Sequence, residues 1–239
     1  MARPELVYVV LPAYNEEENI THLLEEISRC LANYRVIVVN DGSQDRTGSL
    51  ARSYSERMPI TVLDHEDNQG LGGALRTGIL HIIQHGSPNS AIVTMDSDLT
   101  HDPASVPELL NELDNGFDVV VGSRYTPGGR QLNIPISRRI LSWGINILFR
   151  LRGSSVKDNT SGFRCFRFDA LRKAVARFGD DFICTNEFAS TALILLRLQR
   201  IGARMMEYPI VLDYSRKCGR SKMHLLRTVL SYLSVLRSA

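Results

Sequence analysis

Over the first 122 residues, short apolar runs alternate with stretches of helical period, and no other feature narrows the possible folds as much. The runs Leu6–Leu11, Val36–Val39, Ile60–Leu63, Ala91–Met95 and Val119–Val121 have the length and composition of buried strands. Between them, 16–32, 45–57, 71–85 and 103–114 carry the spacing of helices. This repetition implies an α/β fold, a mostly parallel sheet flanked by helices on both faces. Ligands of such folds collect at the carboxyl ends of the strands. The residues after each run are therefore the first candidates for a site. At 239 residues the chain has the size of one core, and we read 1–239 as a single domain.

The fourth run ends in Val93-Thr-Met-Asp-Ser-Asp98. Alternation at a strand end points Asp96 and Asp98 the same way. Like charges that close call for a cation, and oxygen ligands alone suit Mg²⁺ or Mn²⁺. Such an ion can bridge the phosphates of a nucleotide. The competing reading is helix capping, because Asp102-Pro103 follows. After the first run stands Pro12-Ala-Tyr-Asn-Glu-Glu17, again with capping as the alternative. After the second comes Asn40-Asp-Gly-Ser-Gln-Asp-Arg-Thr47, where Asp41 can accept from a nucleobase N–H or a ribose hydroxyl. Asn68-Gln-Gly-Leu-Gly-Gly73 matches neither common phosphate-loop pattern. It reads as close backbone packing beside a nucleotide, or as a simple loop.

The formal net charge of +2 hides an asymmetry: residues 1–122 hold 7 Lys/Arg against 19 Asp/Glu, and 123–239 hold 21 against 7. A basic half points to a phosphate-bearing or anionic-surface partner. No nucleic-acid motif accompanies the charge, so a membrane surface or lipid phosphate is expected and nucleic acid is not. Cys30, Cys165, Cys184 and Cys218 are scattered and read as reduced packing residues of a cytosolic protein. Leu6–Leu11 is too short for a signal peptide. No apolar run approaches the roughly 20 residues of a membrane span, so the expectation is a chain that does not cross a bilayer.

Pro12-Ala-Tyr-Asn-Glu16, Asn40-Asp-Gly-Ser43, Asp96-Ser-Asp98 and Gly122-Ser-Arg-Tyr125 together resemble family 2 glycosyltransferases. Ser161-Gly-Phe-Arg164 and Arg216-Lys-Cys-Gly-Arg-Ser-Lys222 extend the likeness, in order, over nearly the whole chain. The nearest branch is that of dolichol-phosphate mannose synthases and polyprenyl-phosphate glycosyltransferases. The resemblance implies a Rossmann-like GT-A fold, a nucleotide-sugar donor, Mg²⁺ or Mn²⁺, and a polyprenyl or dolichyl phosphate acceptor. It implies inverting hexose transfer at the cytoplasmic face of a membrane. GDP-mannose is the first expectation for the donor, and a UDP-sugar such as UDP-glucose the alternative. Transfer to a glycan hydroxyl and a non-catalytic membrane-surface module are the competing classes.

Carried over residue by residue, Pro12, Ala13, Tyr14, Glu16 and Asn40 would line the nucleotide site and Asp41 would hold the base. Asp96 would hold the sugar-nucleotide and face the metal, with Asp98 its principal ligand and Thr100 a third. Asn40 stands where many relatives have Asp, and Thr100 where many have Gln; Ser is familiar there in the eukaryotic synthases. Asp158, Gly162 and Phe163 would shape the sugar and acceptor pocket. Arg216 and Lys222 would close over the donor pyrophosphate or the acceptor phosphate. Asp98, Arg124 and Arg216 form the expected catalytic set.

On this reading 1–122 is the nucleotide-sugar and metal half, and 123–239 the acceptor half. Arg124 falls at the same sheet edge as the Asp pair, where a guanidinium can grip a phosphate; a surface ion pair is the alternative. The helical run over about 135–152 holds eight large apolar residues between Arg138, Arg139 and Arg150, Arg152. That composition suits a helix in a membrane interface, with domain packing or a dimer contact as alternatives. Arg138 or Arg139 would also reach the acceptor phosphate, and the residues themselves do not choose. Residues 169–178 and 186–200 read as helices and Ala203–Leu212 as a strand pair broken at Pro209. Tyr214–Lys222 is a basic, Gly-containing loop that orders on phosphates, or a solvated linker. Over about 221–237, Leu225, Leu226, Val229, Leu230, Leu233 and Leu236 form a stripe for a membrane, the domain or a transmembrane partner subunit.

Overall fold

Side chains that point alternately to the two faces of continuously buried strands build two cores, one on each face of a seven-stranded sheet. The computed structural model describes residues 4–219 and 225–238. The sheet contains β1 (Leu6–Ala13), β2 (Tyr34–Asp41), β3 (Ile60–His65), β4 (Ser90–Thr94), β5 (Val119–Ser123), β7 (Arg164–Arg167) and β8 (Met205–Pro209). Their order is β3-β2-β1-β4-β7-β5-β8, with β7 alone antiparallel to its neighbours. A short parallel pair, β6 (Arg130–Leu132) with β9 (Val211–Asp213), stands apart. The helices are α1 (Ile20–Cys30), α2 (Thr47–Arg52), α3 (Gly70–His85), α4 (Val106–Asp114), α5 (Ile136–Leu151), α6 (Phe168–Phe178), α7 (Ser190–Arg200) and α8 (Leu225–Ser238).

In β1, Val7, Val9 and Leu11 face α1 and α4, joining Leu23, Leu24, Ile27, Leu109 and Leu113. Tyr8 and Val10 face the other side with Leu75, Ile79 and Ile82 of α3 and Leu171 of α6. Period-two side-chain alternation in a strand buried on both faces explains why these runs are continuously apolar. A third cluster joins Ile145 and Phe149 of α5 to Leu193 of α7 and to Tyr232, Val235 and Leu236 of α8. After β3 the chain returns to place β4 on the far side of β1. This reversal opens a crevice at the carboxyl ends of β1 and β4, where sheets of this kind bind ligands.

Several sequence expectations change in detail. The helix expected over 16–32 is confined to Ile20–Cys30, and that over 45–57 to Thr47–Arg52, because polar turns hold both flanks. The strand pair parts at Ile210, with Pro209 ending β8. β6 and β7 were not legible: three and four residues carry too little period. In α8 the buried side is Thr228, Tyr232, Val235 and Leu236, while Leu230 and Leu233 are exposed. Residues 221–224 of the expected C-terminal helix lie outside the described residues.

At Gly78 of α3 a methyl group would stand 2.6 Å from Val10 Cγ1. Gly78→Ala improves helix propensity by about 1 kcal/mol but overpacks this contact, at about 1–3 kcal/mol. The expected net result is a lower urea midpoint; a higher one would show that α3 is free to move off β1.

Candidate active site at the carboxyl edge of the sheet

The crevice is a cavity of about 590 Å³. The end of β1 contributes Pro12 and Ala13 and the turn after it Tyr14 and Glu16, the end of β2 contributes Asp41, and the turn after β4 contributes Asp96, Asp98, Thr100 and His101. Arg124 follows β5, Arg138, Leu141, Ser142 and Ile145 come from α5, and Ser161 and Gly162 precede β7. Tyr214 and Lys217 come from the strap after β9. The rim is drawn together by Ser97 Oγ, which donates to the Pro12 carbonyl (2.8 Å), and by Thr94 Oγ1, which donates to the Gly162 carbonyl (2.8 Å).

Asp98 is held from two sides. Its Oδ1 accepts from the Thr100 backbone N–H (3.2 Å) and hydroxyl (2.6 Å), and its Oδ2 pairs with the Lys217 ammonium. Leu99 between them takes φ 64°, a left-handed conformation that costs on the order of 1–3 kcal/mol for such a residue. Burial of Leu99 and the hydrogen bonds from Thr100 to Asp98 retain it. Burial alone would raise the Asp98 pKa; the charge of Lys217, its hydrogen bond and that of Thr100 outweigh this and hold it below the usual range.

Asp96 is the opposite case. Its side chain opens into the cavity, 42% exposed, with His101 Nδ1 3.8 Å from Oδ2. Desolvation in the recess, reinforced by the Asp98 charge, raises its pKa against the pull of His101 and Lys217. The Asp96 backbone N–H donates to His101 Nδ1 (3.2 Å), and the imidazole stacks on Phe163 (centroids 5.2 Å apart). A Cβ at position 162 would lie 2.8 Å from Asp96 Oδ1, so only glycine leaves that carboxylate its place.

At the other end of the cavity, Asp41 Oδ1 accepts from the Gln69 backbone N–H (2.8 Å) and lies 2.6 Å from His65 Nδ1. The far ring nitrogen of His65 lies 2.8 Å from Thr77 Oγ1. Asp41 is thereby fixed in orientation at the cavity wall.

The cationic wall is built around a buried pair. Arg124 Nε donates to Asp158 Oδ2 (2.8 Å) and Nη2 to Oδ1 (2.6 Å), and the Arg124 backbone N–H also meets Oδ2 (3.0 Å). Nη2 reaches Thr160 Oγ1 (2.6 Å) and Ser142 Oγ (3.3 Å) as well. Burial opposes charge on both partners, yet each holds the other ionised: Arg124 is raised and Asp158 lowered. Next to them Arg138 Nη1 donates to the Tyr214 hydroxyl (2.9 Å), and its guanidinium lies over the Tyr214 ring.

Five expected site residues do not line this cavity. Asn40 turns to Asp64 (2.8 Å), because it lies next to Asp41 on the strand and points to the other face. Asp158 is fully buried and serves Arg124 from behind; Phe163 is fully buried beneath His101. Arg139, one residue from Arg138 on α5, faces away from the cavity into a separate groove. Arg216 Nη2 lies 2.6 Å from both oxygens of Glu26 on α1 and so anchors the strap. Lys222 lies outside the described residues. Conversely Lys217, His101, His65 and Ser142 were missed. Only Lys217 left a trace in sequence, as one of several cations in a basic loop.

Asp158→Asn leaves a buried guanidinium without its counter-charge, an expected loss of about 3–5 kcal/mol in denaturant unfolding at neutral pH. The folded-state pKa of Asp158 is lowered, so the pair's contribution is complete above its unfolded value of about 3.9 and fades as pH falls toward the folded value. Wild type and variant should therefore converge in stability on acidification. A constant gap would exclude this pair as the source.

Residues 8–177 match the model of glycosyl transferase family 2. The chain is 33% identical over 219 residues to the undecaprenyl-phosphate mannosyltransferase of Micrococcus luteus, covering 91% of this chain and 87% of that one. It is 36% identical over 218 residues to the polyprenol monophosphomannose synthase of Mycolicibacterium smegmatis, covering 90% and 80%. Among solved structures, glucosyl-3-phosphoglycerate synthase of Mycobacterium tuberculosis, in complex with Mn²⁺, UDP and glucosyl-3-phosphoglycerate, has a TM-score of 0.67 at 20% identity. That likeness covers 97% of this chain and 80% of the synthase, and the shared fold is GT-A. A sheet with its switch point between β1 and β4, a carboxylate pair in that crevice and a family match over residues 8–177 lead to one conclusion: this chain belongs to glycosyl transferase family 2.

Proposed function

We propose that this protein transfers mannose, with inversion, from GDP-mannose to the phosphate of a polyprenyl or dolichyl phosphate at the cytoplasmic face of a membrane. The observation that carries the reading is one cavity lined by both signs of charge: Asp96 and Asp98 from the turn after β4, Arg124 after β5 and Arg138 from α5. The names of the mannosyltransferase relatives support the sugar and the acceptor class. A UDP-sugar is the alternative donor.

Pro12, Ala13, Tyr14 and Glu16 would hold the nucleoside, and Asp41, kept in place by His65 and Gln69, would accept from its base. The donor set fits a hard divalent ion. Two carboxylates and a hydroxyl offer oxygen only, and the ammonium of Lys217 already stands on Asp98 as a stand-in cation. Asp98, Asp96 and Thr100 would hold Mg²⁺ or Mn²⁺, which when bound supplies positive charge to the departing diphosphate. Lys217 adds cationic charge on the same side, and Arg216 keeps its strap docked on α1.

The acceptor needs little activation, since a phosphate monoester with a second pKa of about 6 is mostly ionised at neutral pH. No general base is required. Arg124, locked by Asp158, Thr160 and Ser142, orients one phosphate oxygen, and Arg138 neutralises another. Catalysis then rests on positioning two polyanions in line and balancing their charge. No helix among the described residues is long and apolar enough to cross a membrane. The exposed Ile136, Ile140, Trp143 and Leu151 of α5 support docking at a lipid surface, and Leu230 and Leu233 of α8 offer a contact for a membrane subunit.

The test incubates purified protein with Mn²⁺ or Mg²⁺, a short polyprenyl phosphate, and GDP-mannose or UDP-glucose in parallel. Mass spectrometry should find the lipid-phosphate-sugar with GDP-mannose, lost on chelation and reduced about 10²–10³-fold or more in Asp98→Ala. Absence of product with every donor, while donor binding persists, would reject the lipid acceptor. A second measurement addresses Lys217. Because its ammonium competes with the metal for Asp98, Lys217→Met should tighten Mn²⁺ binding, read by electron paramagnetic resonance, while slowing turnover. Weaker Mn²⁺ binding in that variant would contradict the competition.

A further inference from the structure

Helix α5 has two working flanks. Arg138, Leu141, Ser142 and Ile145, at helical spacing, face the active-site cavity. Arg139, Ile140 and Trp143, at the same spacing one step around, line a second groove of about 590 Å³. Its opposite wall is β6, where Arg130 and Leu132 share a face by strand alternation. Arg130 and Arg139 are both exposed, and among the described residues no carboxylate lines the groove. Between and beside them lie large apolar side chains left in solvent: Leu132 is 41% exposed, Ile140 63% and Trp143 59%.

Two guanidinia without acidic partners, framed by exposed aliphatic and indole surface, match one chemistry: a phosphate group attached to hydrocarbon. Guanidinium is weakly hydrated and grips phosphate in a fork, and a tryptophan at a helix flank is at home at the depth of lipid headgroups. We propose that this groove seats the headgroup phosphate of an anionic bilayer phospholipid. Arg130 and Arg139 pair with its phosphodiester, and Leu132, Ile140 and Trp143 rest among its acyl chains. Arg124 and Gln131 line both the groove and the cavity. A lipid seated here therefore sets the cavity mouth against the bilayer, beside the place where a lipid-borne acceptor phosphate enters. The inference rests on the membrane-surface reading above and gives it a discrete site.

Trp143 is the single tryptophan of the chain, so its emission reports on this groove alone. The intact protein, without donor or acceptor, is titrated with vesicles of phosphatidylcholine, with vesicles of phosphatidylcholine and phosphatidylglycerol, and with soluble glycerol phosphate. The expected result is a blue shift, and quenching by brominated acyl chains, with the anionic vesicles only. Arg130→Gln/Arg139→Gln should weaken that partition about 30-fold, from roughly fivefold for each arginine near an anionic surface. Turnover of a short-chain acceptor in detergent should stay unchanged in the double variant. An equal response to neutral vesicles would overturn the proposal in favour of plain apolar adsorption. A response to glycerol phosphate alone would reassign the groove to a soluble anion. A blue shift that follows protein concentration without lipid, with dimers in sedimentation, would give it to a second copy. A raised acceptor KM in detergent would make it part of the acceptor site. Failure of sugar transfer would sink the functional reading but leave these vesicle results intact, since they need no turnover.

Discussion

Two carboxylates one residue apart, at the end of a strand buried on both faces, are the constraint around which the rest is arranged. Neither Asp96 nor Asp98 can withdraw, because Met95 before them is part of the core and the Leu99 turn after them is locked by Thr100. Their repulsion is met from outside the turn by Lys217, which pairs with Asp98, while His101 of the same turn stands behind Asp96. The two acids end up unlike, one held ionised and the other pushed toward neutrality by desolvation. Lys217 also ties the strap of residues 214–219 to the same point.

The opposite wall follows a different logic. A lone arginine at a strand end would be free to swing; Arg124 is not, because Asp158, Thr160 and Ser142 take most of its donors. Removing two charges from water is expensive, and such a pair is weak evidence for added stability. Its value lies in orientation. The guanidinium that faces the cavity is held by a carboxylate that never reaches it. Helix α5 extends this wall and also carries a second, outward flank, so one element borders both the cavity and the second groove.

The parallel sheet, the strand-end location of the site, and the residues Pro12, Tyr14, Asp41, Asp96, Asp98 and Arg124 were legible without coordinates, and all six line one cavity. Strand period, strand length and the connection rules of parallel sheets bring those ends together whatever the details. β7 was invisible because an antiparallel strand of four residues, inserted between β4 and β5, obeys long-range pairing and no local period.

Local pattern therefore determined which chemistry the chain carries and along which edge. Tertiary structure decided which neighbour of each pair lines the cavity: Asp41 and not Asn40, Arg138 and not Arg139, Lys217 and not Arg216. The physical reason is angular. Adjacent residues point about 180° apart on a strand and about 100° apart on a helix, so a motif names a pair but only packing chooses its inward member. The same holds for Asp158, whose carboxylate reads in sequence like a ligand contact and in the fold is the buried counter-charge of Arg124.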